Sequence, residues 1–287
     1  MTSPGTARRL WALAEPFHAL TYFAPESRTA GENAGLIGFW RTYFAFRAAP
    51  LGAVGAEAVT AAFYNFEPAF VARRVPAVWE ATPPAGALAA RLAGVDAAVR
   101  RVLGEDWIDS AEAAEAAGLA GSAAASIDPA GRPLAAANAG LPAPAEPHLA
   151  LWQALTTLRE HRGDGHNAAL LQRGITGAAP HVLAAAAGRS TREWLTRARG
   201  WDDAGWDAAA ESLGRRGWLA DGELTVEGLA IVAAVEADTD RLAVDPWRAI
   251  GDRGCDRLAE LLAPVRRAVV AAGEWPDLNP IGAPDPA

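Results

Sequence analysis

The sequence predicts a mainly α-helical, two-lobed protein whose second lobe carries a short β-hairpin. Three observations lead there. In the first 120 residues apolar side chains recur at helical spacing between prolines, and no period-two alternation marks a strand. A Pro/Gly/Ala-rich stretch with little periodicity, 121–147, then separates the chain into halves. In the second half Asp221-Gly222 lies between two short runs, and Asp-Gly is the favoured two-residue hairpin turn. With 287 residues and 51% hydrophobic content the chain can bury one large core or two ordinary ones.

Taken in order, residues 1–120 form a helical N-terminal domain with segments Thr6 to Tyr22, Ala34 to Arg47, Ala56 to Asn65, Phe70 to Trp79 and Pro84 to Leu103. Pro25, Pro50, Pro68 and Pro83 mark breaks, because proline removes a helical N–H and clashes with the preceding turn. Ala111 to Ala117 adds a short helix ended by Gly118. Residues 121–147 read as a linker or long connection, with Asp128-Pro129-Ala130-Gly131-Arg132-Pro133 and Pro142-Ala143-Pro144 as its turn signals. Residues 148–287 form the C-terminal domain. There Leu149 to His161 and His166 to Gln172 are expected as two helices, split at Gly163-Asp164-Gly165, whose glycines tolerate the positive φ of a sharp turn. Thr191 to Arg199 and Asp203 to Arg215 continue the helical pattern. The hairpin runs from Gly217 to Thr225, and Thr225 is placed to cap a helix from Val226 to Leu242.

Helix, short strand, tight turn, short strand, helix is the order of a winged helix. Leu213-Gly214-Arg215-Arg216-Gly217-Trp218-Leu219, followed by Leu224-Thr225-Val226-Glu227-Gly228, resembles the wing of MarR-type regulators. A longer resemblance is to the actinobacterial helix-turn-helix family typified by the Streptomyces coelicolor SCO6745 protein. It is carried by Thr21-Tyr22-Phe23-Ala24-Pro25-Glu26, Arg47-Ala48-Ala49-Pro50-Leu51-Gly52, the Arg162 to His166 stretch, Thr239-Asp240-Arg241-Leu242 and Asn279-Pro280-Ile281-Gly282. The resemblance implies a winged helix-turn-helix C-terminal lobe and brings no assigned reaction.

All 26 basic residues are Arg, and Lys is absent. A lysine Schiff base and the usual phosphate-binding loop are therefore excluded. Gly163-Asp164-Gly165-His166-Asn167-Ala168 satisfies G-x-G-x-x-A only formally, because no buried strand precedes it. Neither G-x-S-x-G nor H-E-x-x-H occurs. Cys255 stands alone, which excludes an intramolecular disulfide and any multi-cysteine metal site. Met1-Thr2-Ser3-Pro4-Gly5 has no basic region followed by an apolar core, and no long uncharged apolar run exists, so a cytoplasmic location without membrane contact is expected.

A winged helix raises DNA as a partner, and charge weighs against it. From Glu146 to Ala287 there are 15 Arg against 21 Asp plus Glu, a net of −6. The candidate recognition helix begins Asp202-Asp203-Ala204-Gly205-Trp206-Asp207 and reaches Glu211 before Arg215, an acidic face that phosphates would repel. Arg189, Arg192, Arg197 and Arg199 read as a solvated helix face.

A small-molecule site between the lobes fits better. His18 and Tyr22 share one helix face, with Glu26 just beyond the break at Pro25. Trp40, Tyr43 and Arg47 on the next helix offer an apolar pocket with a cation, suited to an aromatic or polyketide-like molecule. Arg159, Arg162, Asp164 and His166 surround the glycine stretch and are expected to face His18 and Glu26. His161, His148 and His181 are read as structural, and the 11 Trp, spread about one per helix, as packing anchors. The expected function is thus a small-molecule-binding, ligand-responsive regulator with weak or lost DNA binding; a homodimer is compatible with it. The alternative is an enzyme using His18, His166, Glu26 and Asp164 in acid–base chemistry. No cofactor is expected; a metal held by His18 and His166 is a lesser alternative.

Overall fold

In a computed structural model, residues 2–276 are described. Asn279-Pro280-Ile281-Gly282, part of the family resemblance, lies outside them. Helix α1 (Pro4–Phe23) opens with a capping box in which Ser3 accepts from the Thr6 N–H and Pro4 takes the first helical position. Then follow α2 (Pro25–Asn33), α3 (Phe39–Ala48), a 3₁₀ turn (Ala49–Leu51), α4 (Ala56–Phe63), α5 (Pro68–Ala72) and α6 (Ala77–Ala81). Pro25, read as a break, starts α2, since a proline at the first helical position loses no hydrogen bond. The long α7 (Pro84–Leu103) leads through α8 (Glu105–Ile108) to α9 (Ala111–Ala124), α10 (Pro133–Ala139) and α11 (Pro147–Gln172). The stretch 121–147, expected as a connection, holds the last turn of α9 and all of α10. Leu134, Ala135 and Asn138 of α10 are buried.

Helix α11 departs most from expectation. It is one continuous helix through Gly163-Asp164-Gly165, where two helices and a turn were predicted. The glycines serve close packing instead. A Cβ on Gly165 would stand 2.8 Å from Arg132 Nη1 and 3.2 Å from Leu242 Cβ. Arg132 lies in that gap, donating to the carbonyls of His161 and Leu242. Asp164 accepts the N–H groups of Leu134 and Ala135, both at 3.0 Å, and so caps α10.

Beyond α11 come α12 (Ala179–Ala186), α13 (Arg192–Arg199) and α14 (Asp203–Arg215), then strands β1 (Leu219–Ala220) and β2 (Glu223–Leu224), α15 (Val226–Leu242), α16 (Asp245–Arg248) and α17 (Gly251–Ala271). Thr191, Asp202 and Thr225 cap α13, α14 and α15 through their side-chain oxygens. The strands pair antiparallel, Leu219 with Leu224 and Ala220 with Glu223. Asp221 and Gly222 both have positive φ, 50° and 84°, as the type I′ turn requires.

Three apolar clusters hold these elements. The first joins α1, α7, α9 and α17 to Leu151, Trp152 and Leu155 of α11, drawing on both sides of the 121–147 stretch. The second packs α3, α4, α5 and α7 around Phe44, Phe63 and Phe66. The third gathers α12–α15 and the hairpin around Ala169 and Leu170 at the far end of α11. Helix α11 thus runs from the first core into the third. Among the described residues no helix is long and apolar enough to cross a membrane.

The continuous path of α11 separates its two glycines. A Cβ on Gly163 would meet nothing closer than Glu160 Oε2 at 3.6 Å. Gly163→Ala should raise stability by up to about 1 kcal/mol through helix propensity. Gly165→Ala should instead cost about 1–3 kcal/mol through overpacking. Urea unfolding of both variants checks this; a turn at this point would make both substitutions destabilising.

Candidate functional site

Because α11 has 3.6 residues per turn, Arg159, Gly163, His166 and Leu170 fall on one face, with Arg162 and Asn167 at its edges. That face forms one wall of a cleft of about 320 Å³. Opposite stand Trp11 and Tyr22 of α1, Trp40, Tyr43 and Arg47 of α3, and Phe63 and Phe66 at and beyond the end of α4. The far end is closed by His181, Arg189, Trp194 and Arg199 from α12, α13 and the segment between them, and by Val235, Glu236 and Thr239 of α15. Tyr43 is the hub of the aromatic wall, with its ring centroid 5.0 Å from Tyr22, 5.6 Å from Trp40 and 5.8 Å from Phe66.

The charges behind these rings form a relay of ion pairs. Arg47 holds Glu160 through two hydrogen bonds, Nε to Oε1 at 2.9 Å and Nη2 to Oε2 at 3.0 Å. Its Nη1 also donates to the Tyr43 hydroxyl at 3.2 Å, and its guanidinium lies 4.2 Å from the Phe63 ring centre. Arg159 bridges Glu160 and the fully buried Glu15 of α1. Burial opposes ionisation of Glu160, but Arg47 and Arg159 outweigh it and hold the carboxyl well below its usual range. Arg162 pairs with Asp240 at 2.7 Å and lies over the Trp11 ring at 4.2 Å.

His166 is fixed in one tautomer. Its Nδ1 lies 2.9 Å from Thr239 Oγ1, whose hydroxyl proton is already donated to the Val235 carbonyl at 2.7 Å. Nδ1 must therefore be the donor, which leaves the Nε2 lone pair free. Burial lowers the His166 pKa, Glu236 opposes this and Arg162 and Arg189 add to it, so the ring is neutral at pH 7.

The predicted residues separate into two groups. Tyr22, Trp40, Tyr43, Arg47, Arg159, Arg162 and His166 all line the cleft. His18, Glu26 and Asp164 do not. His18 is packed in the interior beside Thr21, Arg91 and Asn138, bonded through Nδ1 to Thr156 Oγ1 at 3.0 Å and stacked on Trp152. Glu26 is drawn to Arg101, which also binds Glu274, because the break at Pro25 turns α2 toward α7. Asp164 points to α10, one face away from His166. An acid–base set of His18, Glu26, Asp164 and His166 is therefore not assembled. Among the described residues no group of three His, Cys, Asp or Glu could hold a metal, and His166 lines the cleft whereas His18 does not.

Sequence reasoning missed Glu15, Glu160 and Thr239, whose partners lie 144, 113 and 73 residues away. It also misplaced Arg199. Of the four arginines read as a solvated face, Arg197 is exposed, Arg192 pairs with Asp203 and Asp207, and Arg189 pairs with Glu236. Arg199 is buried at the cleft end.

Helices α13 and α14 meet at Gly200, a left-handed residue with φ 82°, where any Cβ would overlap the Phe70 ring. The two helices are thus joined by a sharp left-handed turn set against the cleft. The chain belongs to the helix-turn-helix family, whose profile matches residues 7–276. No curated protein and no solved structure matches the chain.

Two outcomes follow from these charges. Glu160→Ala leaves Arg47 and Arg159 buried without their shared acid and should cost about 3–5 kcal/mol in chemical unfolding. Burial also lowers the pKa of His18, His166, His161 (to about 4) and His181 (to about 3). The unfolded chain therefore binds more protons below about pH 6.5, and each histidine removes about 1.4 kcal/mol per pH unit as pH falls toward its folded value. Asp164, raised to about 6 by burial, works in the opposite direction between its ordinary value and 6. Calorimetry should show full stability above neutrality and a steep fall in Tm from pH 6.5 to 5; a flat profile would contradict this reading.

Proposed function

We propose that the protein binds an aromatic small molecule in the cleft between its N-terminal helices and a winged-helix unit formed by α12–α15, as a ligand-responsive protein without tight DNA binding. One observation carries the reading. The cleft is walled on one side by the rings of Tyr22, Trp40, Tyr43 and Phe66 and on the other by arginines, of which Arg47, Arg159 and Arg162 are fixed by buried acids, a preformed slot with a few oriented polar groups. Ring stacking on Tyr22, Trp40, Tyr43 and Phe66 gives affinity for a planar ligand, and Arg47, Arg159 and His166 supply orientation.

The surface of the helix-turn-helix supports the loss of DNA binding. On α14 the exposed Asp203 and Asp207 hold Arg192, and Glu211 holds Arg215. Asp221 and Glu223 add acid to the hairpin tip. Phosphate contacts need unpaired cations at these positions. A second reading, general base catalysis, is favoured by His166 alone, whose neutral ring keeps Nε2 free toward the cleft.

Neutral bicyclic aromatics such as 2-naphthalenemethanol should quench tryptophan emission and raise Tm by about 2–4 °C per kcal/mol of binding free energy. Ala184→Phe, which fills the cleft from α12 without removing packing, should suppress both effects. Fluorescence anisotropy with labelled duplex DNA should show no salt-sensitive complex at physiological ionic strength. Absence of binding by every aromatic tested would sink the ligand reading, and a salt-dependent complex would restore the DNA-binding one.

A further inference from the structure

Among the arginines of the cleft, Arg199 differs from the rest. Arg47, Arg159, Arg162 and Arg189 each have a carboxylate within 3.1 Å. Arg199, only 8% exposed, has no carboxylate partner among the described residues. Its Nη1 reaches the carbonyl of its own neighbour Ala198 at 3.1 Å, and its Nε is buried without a hydrogen-bond partner. The guanidinium lies 4.6 Å from the centre of the Phe66 ring, on the aromatic wall of the cleft.

Charge makes this position costly. Glu15, Glu160, Glu236 and Asp240 pair with the other four arginines of the cleft, and Arg8 shares Glu236 and Asp240 as well, so positive charge is left over. The groups that act on Arg199 are burial, the Tyr43 hydroxyl and the like charges of Arg47 and Arg159, and its pKa is pushed down to about 10. It stays protonated at pH 7. A buried, protonated, unpaired guanidinium is destabilising by itself and becomes favourable when an anion joins it, most of all a planar group that matches its two-pronged face.

We infer that Arg199 is the anchor for a carboxylate carried by the aromatic ligand of this cleft. The inference rests on the cleft being a ligand site and adds the chemical class of the ligand, an aromatic carboxylic acid. Arg199, without an acid of its own, matches one carboxylate, and Phe66 beneath the guanidinium places the ring system next to Tyr43 and Trp40. Arg199 is also the last residue of α13, and its carbonyl accepts the Glu67 N–H at 2.9 Å. Carboxylate binding therefore takes place at the helix-turn-helix turn itself.

Calorimetric titration with 2-naphthoate and its uncharged counterpart 2-naphthalenemethanol tests this. The wild-type protein should bind 2-naphthoate at least tenfold more tightly than the alcohol. Arg199→Met should weaken 2-naphthoate at least tenfold more than it weakens the alcohol, and should not lower the Tm of the free protein. Arg199→Lys, which keeps the charge and loses the planar fork, should fall between the two. Equal wild-type affinities, or 2-naphthoate binding indifferent to both substitutions, would overturn the carboxylate anchor while leaving the aromatic cleft standing. Binding of neither probe would overturn both.

Discussion

The pairing of Arg47 with Glu160 is the interaction on which the remainder of the molecule turns. It ties α3 to the middle of α11, and Arg159 extends it to Glu15 of α1. Four charged side chains this deeply buried are tolerable only together, because each alone would lack compensation in a medium that screens poorly. Their mutual dependence fixes the position of α3 against α11, and with it the aromatic wall against the arginine wall. The cleft width is thus set by an ion-pair relay as well as by the apolar packing of α3.

Helix α11 converts this local order into an arrangement of the whole chain. Its first half is locked in the core shared by α1, α7, α9 and α17, and its last turns enter the cluster that holds α12–α15. A break at Gly163-Asp164-Gly165 would have let the two ends move separately. Continuity makes them one rigid body, and the small size of Gly165 lets Arg132 and α15 approach closely enough to clamp it.

What the sequence disclosed and what it hid divide along physical lines. Elements with strong local signals were legible: the capped helices, the Asp-Gly hairpin, and the residue types of the cleft wall from Tyr22 to Arg47 and from Arg159 to His166. The glycine stretch in α11 misled because glycine serves both a positive-φ turn and a close helix contact, and only tertiary packing decides between them. Glu26 and Asp164 looked available because their partners, Arg101 and the N–H groups of α10, are far off in sequence. For the same reason Glu15 and the buried state of Arg199 left no trace in any short window. Arg199 is followed by Gly200-Trp201-Asp202, which reads as the end of a solvated helix, and nothing local reveals that Asn65 and Glu67 grip this turn from the N-terminal half.

That grip gives the cleft a mechanical connection to the α13–α14 turn. The Asn65 carbonyl accepts from both His181 of α12 and the indole of Trp201, and the Tyr64 hydroxyl donates to the Ile175 carbonyl. The segment 64–67 is thus bonded to the residues before α12, to α12 itself and to the α13–α14 turn, while Phe63 and Phe66 at its ends line the cleft. Any shift of these rings strains the same backbone that holds the turn. The exposed face of α14 beyond that turn is acidic, with Asp203, Asp207 and Glu211 holding its neighbouring arginines, so any shift of the rings is passed to a surface whose charge repels phosphate.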